Sequence, residues 1–213
     1  MASDDFLDGL VGDLKPVRRR DPRIDALAFA GLCALELALW LASGHVRPGL
    51  VQVAQTTPTL WWKTASAAAL AVVGATTAIA TLDPTRSPHR GLVGLAALVA
   101  AFFIVGGLFA WHAGLAHLWR RLDWTDGLTC VAKVTLLSAP PAAAFGLLLL
   151  RGAATDVKGT ALAAGVGGAA WAVFVYFFAC PHDDPVYILV WYPIACAAST
   201  LAARLVLPLA GRW

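Results

Sequence analysis

The chain has 213 residues, 59% of them hydrophobic and 14% charged, with a formal net charge of +3. A soluble domain carries roughly a quarter charged residues. That deficit, with a mean hydropathy of +0.71, excludes an ordinary soluble domain and places the chain among polytopic membrane proteins. The net charge is too small for a nucleic-acid-binding surface, so no direct nucleic-acid partner is expected.

The first 25 residues are polar and charged. They lack the apolar run of a cleavable signal, so the first membrane helix is expected to drive insertion. Phe6, Leu7, Leu10, Val11 and Leu14 recur at helical spacing and share one face. Asp4, Asp5, Asp8 and Asp13 sit mostly on the other. Pro16 stops that helix, and Arg18, Arg19 and Arg20 follow. The basic run on its own suits a topology anchor. The acidic part would be repelled from an anionic leaflet, and its apolar stripe is better suited to a groove on a partner protein. Residues 1–24 therefore read as a short amphipathic segment that folds on a partner.

Six apolar segments follow, at about 25–44, 59–82, 91–116, 130–150, 160–180 and 186–209. Each is long enough to cross a ~30 Å hydrocarbon core with some tilt. With no water there to bond the backbone, they must be helices. The fold class is all-α: a polytopic membrane bundle of six transmembrane helices over residues 25–213, preceded by the amphipathic segment. Pro140-Pro141 in the fourth segment predicts a kink rather than a break. Gly106-Gly107 and the Gly165 to Gly168 patch predict close helix packing. Trp61, Trp62, Trp119, Trp124 and Trp213 near segment ends suit an interfacial belt.

Lys and Arg set the orientation. Six spans put both termini on one side, with Lys15, Arg18, Arg19, Arg20, Arg23, Arg86, Arg90, Arg151, Lys158, Arg204 and Arg212, eleven of the 16. The other side holds the remaining five, Arg47, Lys63, Arg120, Arg121 and Lys133. Positive residues stay cytoplasmic, so both termini are expected inside. A membrane lipid environment follows.

Of the four cysteines, Cys33 and Cys196 fall within their helices and read as small apolar side chains. Cys130 and Cys180 each stand at the outer lip of a segment. Two thiols at one boundary can pair in an oxidising compartment, share a soft metal ion completed by His182 or an aspartate, or be unrelated. Asp183 and Asp184 precede Pro185, where either can cap the sixth helix. Glu36, near the middle of the first helix, is a functional candidate by depth. Hydrogen bonding to a neighbouring helix is its first reading, with gating or proton coupling second.

The run Cys180 to Tyr192 (CPHDDPVYILVWY), with Asp8 to Arg20 (DGLVGDLKPVRRR) ahead of six spans and Gly211-Arg212-Trp213 at the end, resembles the NrsF family. These are negative regulators of SigF, an extracytoplasmic-function sigma factor of bacteria. The resemblance spans essentially the whole chain, and Cys130 falls where the family carries a cysteine. It leads one to expect a histidine soon after that cysteine, where this chain has Lys133. It implies a non-enzymatic anti-sigma factor of the inner membrane, without a resident cofactor. Phe6, Leu7, Leu10, Val11, Leu14 and Arg18 to Arg20 would then touch the sigma factor. Cys130 and Cys180 would sense oxidation or a transient heavy-metal ion, supported by His182, Asp183 and Asp184. Two other readings compete. A membrane thiol oxidoreductase would need a reactive pair of the Cys-x-x-Cys kind, which is not in this sequence. A small transporter would need broken helices and midplane polar groups, for which only Glu36 and Pro140-Pro141 qualify.

Overall fold

The computed structural model describes residues 20–114 and 116–210. The apolar stripe from Phe6 to Leu14, together with Arg18 and Arg19, lies outside the described residues. Among the described residues there are nine helices and no strand: α1 Pro22–Ala42, α2 Leu50–Thr56, α3 Pro58–Ala80, α4 His89–His112, α5 Leu118–Arg121, α6 Trp124–Leu137, α7 Ala139–Arg151, α8 Val157–Tyr176 and α9 Pro185–Ala210. Among the described residues six stretches are long and apolar enough to cross a membrane, with α5 to α7 counting as one. The all-α bundle expected from the sequence is the fold.

Short polar signals start these helices. Asp21 accepts from the Arg23 N–H at 2.9 Å with Pro22 in the first turn, and Asp156 accepts from the Gly159 N–H at 2.8 Å. Each satisfies a backbone donor that a helix start leaves free. The helix of the fourth span is interrupted just ahead of its two prolines. Ser138, with α-helical backbone angles, is the one residue between α6 and α7. Pro140 and Pro141 have no N–H for the carbonyls one turn back, while the Ser138 hydroxyl donates to the Thr135 carbonyl at 2.8 Å.

Helix α8 is the central element, its Gly- and Ala-rich surface buried on nearly every side between α3 and α9. The closest approach is at Gly74 of α3 and Gly167 of α8, where a Cβ on Gly74 would stand 2.5 Å from the Gly167 Cα. Only glycine admits that distance, because the obstacle is backbone and cannot rotate away. Gly74→Ala is therefore expected to cost about 1–3 kcal/mol by forcing α3 from α8. Gly107→Ala, which meets nothing within 4 Å, should be neutral or stabilise by up to about 1 kcal/mol through helix propensity. Denaturation of the two purified variants in detergent checks the contrast, and equal stabilities would contradict the packing.

Helices α1 and α4 lie at the periphery. Leu27, Leu39, Ile104 and Leu108 are exposed, as suits side chains meeting lipid. Phe29 and Cys33 are the buried residues of α1, with Phe29 against the Phe145 ring at 4.4 Å. The Trp171 indole donates to Glu36 Oε2 at 2.9 Å, so Glu36 ties α1 to α8, the first of its two sequence readings. Trp62 departs from the expected interfacial belt. It is buried and stacks on Phe102 at 4.7 Å, while its neighbour Trp61 stays exposed.

Candidate functional site

The chain leaving α8 turns sharply before α9. The N–H groups of Ala179 and Cys180 both donate to the Tyr176 carbonyl, at 2.9 and 3.0 Å. Pro181 and Pro185 bracket three residues with no helical ladder, so their polar groups need other partners. Asp184 is the cap the sequence predicts: its Oδ1 accepts from the N–H of Val186 at 2.8 Å and of Tyr187 at 3.4 Å. Arg121 grips the same carboxylate with two prongs, Nε to Oδ2 at 2.8 Å and Nη2 to Oδ1 at 3.0 Å, the planar geometry that favours arginine. Its third nitrogen donates to the Gly114 carbonyl.

Asp183 is not a cap but the centre of an ion cluster. Lys63 Nζ lies 2.8 Å from Oδ1, and Arg47 Nη1 2.8 Å from Oδ2. The Lys63 side chain has no exposed surface. It also donates to the His182 carbonyl at 3.1 Å and faces the rings of Phe177 and Tyr192. Arg47 reaches the Cys180 carbonyl at 3.0 Å, and its own backbone N–H donates to the Phe178 carbonyl at 2.8 Å. A buried lysine is tolerated only where its charge is met in this way.

His182 stacks on Tyr187 with ring centroids 4.2 Å apart, and its Nε2 lies 2.7 Å from Asp126 Oδ2. Asp123, Asp126 and His182 present ligating atoms within 4.8 Å of one another. Trp191 lies over Gly127, where a side chain would collide with the indole, and donates to the Leu122 carbonyl at 2.6 Å.

Beneath this lid sit the two thiols. Cys130, on α6, and Cys180 have no exposed surface, and both are unbridged. They share one buried cluster with Tyr176, Tyr187, Trp191 and Tyr192. The Cys180 thiol is 3.9 Å from the His182 carbonyl. Cys33 belongs to a separate cluster, with Ala78, Phe145 and Ala161. Cys196, partly exposed, packs at the edge of the thiol cluster. The structure thus brings Cys130, Cys180 and His182 into one region. Both oxygens of Asp183 and of Asp184 are held by cations. Arg20, at the entry to α1, pairs with Asp25. Lys133 lies over the Tyr176 ring.

From the sequence, Arg47, Lys63 and Arg121 are only outer-side charges, without an assigned partner. The signal was present: three basic residues near segment ends on the same side as an Asp-Asp turn, in a chain poor in charge.

A family model described as NrsF, negative regulator of sigma F, matches residues 10–213. The chain belongs to that family of sigma-factor regulators. No curated protein and no solved structure matches it. The matched region begins at Leu10, so it includes Val11, Leu14 and the Arg18 to Arg20 run along with every span.

Proposed function

We propose that this chain is an anti-sigma factor of the bacterial inner membrane with both termini in the cytoplasm. Residues 1–24 hold an extracytoplasmic-function sigma factor of the SigF type away from RNA polymerase. Phe6, Leu7, Leu10, Val11 and Leu14 seat in a groove of that partner, and Arg18, Arg19 and Arg20 contact its surface. Cys130 and Cys180, supported by His182, Asp183 and Asp184, respond to oxidation or a heavy-metal ion on the outer side, and the sigma factor is released.

The observation that supports this reading is the seating of both sulfurs, without exposed surface, under a turn held by charges from distant parts of the chain. Neither sulfur is reached from solvent in that packing. An oxidant or thiophilic cation therefore acts on a looser arrangement and shifts the population toward it. Inverting a 1:99 equilibrium takes about 5.5 kcal/mol of differential binding. Two thiolates on a soft ion supply energies of that order. The metal is then a signal rather than a resident cofactor.

The test uses the full chain with Cys130→Ser and Cys180→Ser together, read as transcription from a sigma-dependent promoter. Repression should persist, and induction by cadmium or peroxide should fall to background. Induction equal to wild type would remove the sensor assignment. Cys130→Ala with Cys180→Ala separates a lost signal from the cost of burying two hydroxyls, since both pairs should behave alike.

A further inference from the structure

At the opposite end of the bundle, two recesses of about 490 Å³ and 640 Å³ adjoin at Arg86, sharing Thr76 and Ala80. The first lies between the start of α1, the end of α3 and the end of α7, and is lined by Arg20, Arg23, Arg86 and Arg151. The second adds Arg90 and His89. Asp83 is the one acid lining either recess. One of its oxygens is taken by the Thr85 N–H and hydroxyl at 3.0 and 2.7 Å, and the other is 3.9 Å from Arg86. The bonds from Thr85 hold its carboxyl below the usual range, so it offsets one positive charge. Asp25 offsets Arg20. Among the described residues, Arg23, Arg90 and Arg151 have no acidic partner.

Arg23, Arg86 and Arg151 are exposed, and with Arg20 they border one recess whose other wall is apolar, formed by Pro22, Ala26, Ile79 and Leu82. Charge on one side and hydrocarbon on the other suit an amphiphile with an anionic head. The geometry points to a binding site for an anionic phospholipid, its phosphate held by Arg23, Arg86 and Arg151 and its glycerol and upper acyl carbons against the wall of α1 and α3. Basic pockets between membrane helices take such headgroups. The site is separate from the thiol cluster and does not depend on its role.

Full-length protein in neutral detergent, titrated separately with phosphatidylglycerol, phosphatidylcholine and inorganic phosphate, gives the test. Native mass spectrometry and thermal unfolding are the readouts. Phosphatidylglycerol should stay bound and raise the unfolding temperature, while the other two should do neither. Arg86→Gln with Arg151→Gln should weaken phosphatidylglycerol retention at least tenfold, whereas Arg120→Gln at the other end should leave it unchanged. Should the double variant not fold, Arg86→Gln alone, at a side chain 66% exposed, should show the same loss in smaller measure. Equal retention of phosphatidylcholine, stabilisation by phosphate alone, or equal loss in Arg120→Gln would overturn the site. So would retention seen only after removal of residues 1–19, which would give the recess to the chain's own acidic segment.

Discussion

Replacing Lys63 with methionine is expected to destabilise the folded bundle by about 1–3 kcal/mol, the cost of leaving one oxygen of Asp183 and the His182 carbonyl without their donor. Arg47 stays on the other oxygen of Asp183, so the carboxylate keeps a counter-charge and the loss is smaller than that of breaking a lone buried pair. Methionine keeps most of the stem that packs beside Phe177 and Tyr192, so the loss reports the charge rather than a cavity. Chemical denaturation in detergent measures it. Asp183→Leu in the same chain should deepen the loss, because Arg47, whose side chain is 8% exposed, is then left as a nearly buried charge without a counter-ion. A second readout is maleimide labelling of the purified protein. Both thiols should be slow in the wild type, and Cys180 should react faster once the turn is loosened. A Lys63→Met protein within about 0.5 kcal/mol of wild type would show that the pair does not hold the turn.

Leu10→Asp combined with Leu14→Asp should abolish capture of the sigma factor by residues 1–24. Burial of a leucine side chain contributes about 1.5–3 kcal/mol, so the pair represents about 3–6 kcal/mol. That corresponds to binding weaker on the order of a hundred- to ten-thousandfold. Glutamine at Arg18, Arg19 and Arg20 should act differently, lowering the association rate and its salt dependence more than the lifetime of the complex. A pull-down followed by titration distinguishes the two. Undiminished capture by the leucine variant would remove the apolar stripe as the contact, and would leave the thiol assignment to be judged by its own experiment.

The six spans are legible in the sequence because each satisfies a length and hydropathy condition that needs no partner. The irregularity beside Pro140-Pro141 and the cap at Asp184 are legible for the same reason, being local chemistry. Helices α2 and α5 are not, since segments of seven and four residues are too short to display a period. The ion cluster is also hidden. Arg47, Lys63 and Arg121 reach the turn from positions far away in the chain, and which carboxylate each one meets is decided by helix packing. Hydropathy locates Cys130 and Cys180 at segment lips, but only the rotation of α6 and the fold of the turn put both sulfurs inside. Trp62 misled for a related reason: a tryptophan at a segment end faces lipid or core according to a rotation that composition does not encode.

Arg47 has a mechanical consequence. The segment leaving α1 is clamped to the turn by the Arg47 backbone and guanidinium. Along its shaft α1 is seated lightly, through Phe29, Cys33 and the bond from Trp171 to Glu36. A 21-residue helix is a rod about 30 Å long. Gripped at one tip and loosely bedded elsewhere, it has the form of a lever: a displacement of the turn over the thiols would arrive at Pro22 as a tilt.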